Sequence, residues 1–203
     1  MRNKVIFCDI GGVLLNNGWG HESREKAADF FGIDYTEMSR RHDSVYNVYE
    51  TGGITIEEYL DTAVFHQHRA FSKKDFISFM FNQSVQLPFF KEWLFEVRKN
   101  NFGVKIIAIN NEGKEVNDCR IDKFNLHLCF DAFVSSCDVG IRKPDPEIFR
   151  LALKIAHIKT EHCIFFDDRP LMVEAASRIG IKSYHHQNFE TSKKIIQNFI
   201  NEK

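Results

Sequence analysis

No apolar run in the chain approaches the roughly 20 residues that a membrane-spanning helix needs. Met1-Arg2-Asn3-Lys4 leads straight into a strand-like run too short for a signal-peptide core. Excess charge of either sign is missing too. With 27 Lys+Arg against 28 Asp+Glu the formal net charge is −1, which offers nothing to a polyanion, so neither a nucleic-acid nor a membrane partner is expected. The five cysteines, Cys8, Cys119, Cys129, Cys137 and Cys163, contain no C-x-x-C pair, and most lie in apolar runs. They read as reduced, small hydrophobic side chains in a cytoplasmic protein. Internal repeats, low-complexity tracts and long linkers are absent. Histidines are plentiful but badly spaced for a metal: His66 and His68 diverge by about 200° on a helix, and His185-His186 ends a strand whose neighbours point to opposite sides.

What is present is a chain of 203 residues, 43% hydrophobic, enough for one large domain or a core carrying an insertion. Its organising stretch is Lys4-Val5-Ile6-Phe7-Cys8-Asp9-Ile10-Gly11-Gly12-Val13-Leu14-Leu15, an apolar run of strand length that ends in one carboxylate and turns through two glycines. Residues 16–20 form a loop, and 21–87 contain no convincing strand. Helices are predicted there over 21–31, 35–49, 56–68 and 73–83, with Thr55-Ile56-Glu57-Glu58 at capping-box spacing. From Leu87-Pro88 onward helices alternate with strands at 104–109, 128–135, 163–166 and 181–184, and Pro146 sits in the first turn of a helix with apolar spacing i, i+3, i+4, i+7. Alternating β-α units predict an α/β fold, a doubly wound parallel sheet. The chain thus divides into an α/β core over 1–15 and 88–203 and a small α-helical insertion over 16–87.

Polar groups stand at the strand ends: Asp9, Asn110-Asn111 with Glu112 beyond, and Asp167-Asp168, with Lys143 in the loop before a helix. A parallel sheet brings such groups to one edge, where open α/β folds bind ligands. The chemistry they suggest is phosphoryl transfer. A carboxylate nucleophile can form an aspartyl phosphate if the repulsion between it and the phosphate is relieved. Mg²⁺ and a lysine would do this, and a second carboxylate would hold the hard cation through oxygen. Asn110 could donate its amide to a phosphate oxygen, with Asn111 and Glu112 beside it at the phosphate-binding edge.

Asp9-Ile10-Gly11-Gly12-Val13, Asn110 after its strand, Lys143-Pro144-Asp145-Pro146 and Phe165-Phe166-Asp167-Asp168 resemble, in order, the four motifs of the haloacid dehalogenase superfamily of hydrolases. The resemblance covers nearly the whole chain and implies a Rossmann-like core with a helical cap inserted after the first strand. It implies Asp9 as nucleophile and Mg²⁺ ligand, with the Gly11 carbonyl and Asp168 as further ligands and Asp167 either as a second ligand or acting through water. Lys143 would bridge nucleophile and phosphate, and the substrate would be a small phosphorylated metabolite. Two positions depart from the pattern: Asn110 stands where Ser or Thr is usual, and Gly11 stands where phosphatases of the superfamily carry a second aspartate that protonates the leaving oxygen. Losing such an acid costs about 10²–10⁴ in rate. Glu112, His21 and Asp145 are the candidates to replace it, Glu112 first. An alternative is a weak or inactive phosphate-ester-binding regulatory protein. A lesser one is a metal-independent haloacid dehalogenase, which would leave Asp167-Asp168 without work.

Overall fold

The computed structural model describes residues 4–202. The outermost core boundaries at 1 and 203, and the leader reading of Met1-Arg2-Asn3, lie outside the described residues. Five strands, β1 (Lys4–Cys8), β2 (Val104–Asn110), β3 (Ala132–Ser135), β4 (Cys163–Asp167) and β5 (Lys182–His185), form one sheet in the order β3-β2-β1-β4-β5. Every pairing is parallel. The chain steps outward from β1 through β2 to β3, then crosses to the other flank of β1 for β4 and β5. This is the doubly wound α/β sheet, and β1 is its switch point.

Alternation along the strands explains why they read as unbroken apolar runs. Ile6, Cys8, Ile106, Ala108, Ile164 and Phe166 pack on one face with α5 (Phe90–Asn100) and α10 (Phe189–Asn201). Val5, Phe7, Ile107, Ile109, Cys163 and Phe165 pack on the other with α8 (Pro146–Ala156) and α9 (Pro170–Arg178). The central strands of a sheet covered on both faces have little room for polar residues, whereas the edge strand β5 is mostly polar. The remaining core helices are α6 (Lys114–Lys123) and the single turn α7 (Ser136–Val139).

Residues 21–82 supply α1 (His21–Phe31), α2 (Tyr35–Glu50), α3 (Ile56–Ala63) and α4 (Lys73–Asn82), which share a separate apolar cluster. The chain leaves and re-enters the core side by side. Leu87 N donates to Leu14 O at 2.9 Å, Asn16 N to Val85 O at 2.9 Å, and the Asn16 side chain joins Gln83 and Val85. Inside this unit Trp19 is a packing residue: its ring is 2% exposed and meets Phe76 edge-on at 5.7 Å. Its Nε1 donates to Tyr59 Oη at 2.8 Å, and Tyr59 in turn reaches His42 Nδ1 at 2.9 Å. Burial first, then the Arg24 cation, push His42 down to about 3, so the ring that shares this hydrogen bond with Tyr59 is neutral.

Two predicted elements need correction, and one helix was not predicted. α3 stops at Ala63, not 68, because Phe65 leaves the helix to join Phe71 and Phe76, and Arg69 Nε caps Val64 O at 2.8 Å. The strand expected from 128 begins at Ala132. Asp131 ties itself to Ile106 with its own N–H at 2.7 Å and with its carboxylate at 2.8 Å, ending the irregular stretch before it. α10 was not anticipated; Asn188 caps it through Thr191 N at 2.9 Å, and Ile196 and Phe199 carry its buried face. Replacing Tyr59 by Phe orphans the Trp19 N–H and His42 Nδ1 together, so denaturant unfolding of Tyr59→Phe is expected to show a loss of about 1–3 kcal/mol.

Candidate active site

Lys143 is fully buried at the carboxyl edge of the sheet, its Nζ 3.0 Å from Asp9 Oδ1 and 2.6 Å from Asp167 Oδ2. The ammonium also lies 5.6 Å from the centroid of the Phe165 ring. A buried cation is tolerable only when compensated, and here two carboxylates share it. Each acid is held in turn. Ile10 N donates to Asp9 Oδ1 at 2.8 Å, and Arg169 N donates to Asp167 Oδ1 at 2.9 Å. The lysine backbone is clamped from β2: Asn111 Nδ2 donates to Lys143 O and Lys143 N donates to Asn111 Oδ1, both at 2.8 Å. Asn111, expected at the phosphate, therefore positions the lysine.

Asp168 completes the cluster, for one oxygen each of Asp9, Asp167 and Asp168 lies within 4.8 Å of the others. Asp168 Oδ1 is buried without a hydrogen-bond partner. Burial raises the Asp9 and Asp168 carboxyls above the usual range; Lys143 pulls Asp9 back, while Asp167 pushes Asp9 and Asp9 pushes Asp168 further up. An orphaned carboxylate oxygen among crowded acids fits a hard divalent cation with oxygen ligands. Gly12 makes room for it: at φ +67 a Cβ would lie 2.1 Å from Asp168 Oδ2, so only glycine allows the loop this close.

In front of these groups a cavity of about 280 Å³ opens, lined by Asp9, Gly11 and Asn110 from the core edge and by Trp19, Arg24 and Glu50 from the helical unit. Asn110 is buried, its Nδ2 donating to Asn117 Oδ1 at 2.8 Å and its Oδ1 accepting from Ser135 at 2.9 Å, which leaves one amide hydrogen for a ligand. Glu112 is also in the wall, but Arg120 Nη1 approaches Oε2 at 2.5 Å and Tyr46 Oη donates to Oε1 at 3.2 Å. With both oxygens engaged it acts as the counter-ion that holds Arg120. His21 pairs with Glu25 at the surface, and Asp145 caps α8 through Glu147 N at 2.9 Å, so neither is brought to the cavity.

Sequence reasoning missed Arg24, Tyr46, Glu50, Arg120 and Arg169, all in the cavity wall. Nothing in their local sequence marks them, because helices distant in the chain carry most of them there. Glu50 ends α2, where Ser136 Oγ donates to its carbonyl at 2.6 Å and Arg142 Nη2 lies 2.7 Å from Oε2, an ionic contact without hydrogen-bond alignment. Burial pushes the Glu50 carboxyl up to about 7, against the pull of Arg142.

The haloacid dehalogenase-like hydrolase profile matches residues 3–180. The chain belongs to that family. It is 36% identical over 203 residues to phosphatase MT3486 of Mycobacterium tuberculosis, covering 91% of this chain and 87% of that protein. It is 25% identical to drimenol cyclase drtB of Aspergillus calidoustus over 97% of this chain, although the match spans only 36% of that longer protein. In three dimensions it resembles the HAD family enzyme BT-2542 of Bacteroides thetaiotaomicron, solved with magnesium and inorganic phosphate, at TM-score 0.78 and 22% identity over 91% of this chain and 94% of that one. The family is one of hydrolases by its description, and the structural likeness shows a shared fold.

Breaking the Glu112–Arg120 pair from one side should be costly. Glu112→Gln is expected to lose about 3–5 kcal/mol in urea unfolding. Glu112→Gln combined with Arg120→Met should recover part of that loss, since no uncompensated charge is then left buried.

Proposed function

We propose that the protein is a Mg²⁺-dependent phosphohydrolase that cleaves a small phosphorylated metabolite through an aspartyl phosphate on Asp9. The observation that carries this reading is the convergence of Asp9, Asp167 and Asp168 on one point with Lys143 between the first two. A dehalogenase attacking carbon would have no use for the orphaned oxygen of Asp168. Support also comes from the relative named a phosphatase and from the Bacteroides enzyme of the same fold that was solved with magnesium and phosphate.

Asp9, Asp168 and the Gly11 carbonyl, with Asp167 behind them, would hold the cation. Bound there, Mg²⁺ would offset the crowded carboxylates and the charge of the phosphate. Lys143 holds the Asp9 carboxylate in place and favours its ionised form. An Asp9 oxygen attacks phosphorus, the bond from phosphorus to the leaving oxygen breaks, and Asn110 offers its remaining amide hydrogen to the phosphoryl group. The leaving oxygen needs a proton that Gly11 cannot supply. Glu50, in the same cavity and protonated below about 7, gives it. Water then attacks the phosphorus of the aspartyl phosphate, returning a proton to Glu50 and releasing inorganic phosphate and free Asp9. The helical unit over 16–87 closes the site as a cap, and the protein works in the cytoplasm. Its described cysteines are all free, and no described helix is long and apolar enough to cross a membrane.

With p-nitrophenyl phosphate and Mg²⁺, Asp9→Asn should abolish turnover. Phosphate-ester binding with no wild-type turnover would favour instead the regulatory binding protein that Gly11 suggests. On alkyl phosphates kcat should fall as pH rises through about 7, because Glu50 loses its proton there. Glu50→Gln should remove that limb and lower kcat about 10²–10⁴-fold. The same variant should change p-nitrophenyl phosphate turnover far less, since that leaving group needs little protonation. Equal loss on both substrates, or an unchanged pH profile, would exclude Glu50 as the acid.

A further inference from the structure

The cavity wall contains three arginines, and they differ in what balances them. Arg120 is paired with Glu112 at 2.5 Å, and Arg169 stands 3.8 Å from Asp167. Arg24, in the first turn of α1, is in no ion pair among the described residues; its recorded side-chain contact is a hydrogen bond from Nη1 to the Trp19 carbonyl at 3.0 Å. Its Nε is buried without a partner. That carbonyl anchors the guanidinium without neutralising it. The charge is felt nearby, for it helps to drive His42 toward its neutral form. A part-buried, unbalanced guanidinium with a free N–H is costly to keep unless something anionic arrives.

Arg24 belongs to the helical unit and Asp9 to the sheet edge, yet both line one cavity of about 280 Å³. A ligand whose phosphate sits at Asp9 and which fills so small a space extends toward the helical unit. Resting on the phosphohydrolase reading above, we propose that Arg24 binds a second anionic group of the substrate, so that the preferred substrates are small phosphomonoesters carrying a carboxylate or a second phosphate. Guanidinium forks suit both groups by two parallel hydrogen bonds, and Nε with a neighbouring Nη presents such a fork. A neutral hydroxyl offers no comparable compensation.

The test compares three probes of similar length under fixed Mg²⁺: glycerol phosphate, phosphoglycerate and propanediol bisphosphate. The wild type should show kcat/KM at least about tenfold higher for the two doubly anionic probes, the worth of one charge-assisted hydrogen bond pair. Arg24→Met should raise KM for those two by about 10- to 100-fold with little change in kcat. Glycerol phosphate should be nearly unaffected, and Arg24→Lys should recover part of the loss. Preference for only one of the doubly anionic probes would identify which anion the site takes. Equal use of all three probes by the wild type, or equal slowing of all three in both Arg24 variants, would overturn the proposal. If none is hydrolysed, calorimetric binding of the same probes to Asp9→Asn and to Asp9→Asn combined with Arg24→Met reads the Arg24 contribution directly. Absent turnover with intact Arg24-dependent binding would then count against the phosphohydrolase alone.

Discussion

A single buried ammonium determines how the catalytic edge is put together. Lys143 has no access to water, so its charge must be met inside the protein, and Asp9 and Asp167 meet it from adjacent central strands. The arrangement works in both directions: without the lysine two acids would face each other in a medium that penalises charge, and without the acids the ammonium would be a buried charge with nothing to compensate it. Everything around the group serves this balance. Asn111 fixes the lysine backbone from just beyond β2, Phe165 lies near its ammonium, the Ile10 N–H donates to the same Asp9 oxygen that faces the lysine, and the Arg169 N–H donates to the other oxygen of Asp167.

Asp168 is the member left over. It follows Asp167 in sequence but is not bonded to Lys143, and one of its oxygens is buried with nothing to accept. The glycine at position 12 lets the first loop fold over it at a distance no side chain would allow. A divalent cation on the proposed ligands would give that buried oxygen a partner and relieve the burial that raises the neighbouring acids.

At Gly11 a Cβ would lie 3.0 Å from Asn17 Oδ1, so Asn17 crowds the space that a side chain there would enter. Removing the usual acid from the core shifts the question of proton supply to the helical unit, which already delivers Glu50 and Arg24 to the same cavity. The seam between the two units is polar and well bonded, through Ser136 and the Glu50 carbonyl, Arg142 with Glu50 and Asn47, Arg120 with the Asn16 carbonyl, and Tyr46 with Glu112. Such contacts fix where the helices deliver their side chains.

The apolar runs that empty into Asp9, Asn110 and Asp167, and the β-α alternation that makes their strands parallel, could be read directly from the chain, because each depends on neighbours within a few residues. Hence the sheet, its carboxyl edge and the acids and lysine upon it were legible, down to the glycines of the first loop. The partners of Glu112, the clamp formed by Asn111 and the arrival of Glu50 and Arg24 were not, since each joins residues of different elements whose local surroundings look like ordinary polar helix or loop. Local periodicity by itself determined the layers and the reactive edge. Only tertiary packing decided which polar groups are left unbalanced there, because charge compensation in a buried site depends on distances through space and not on spacing along the chain.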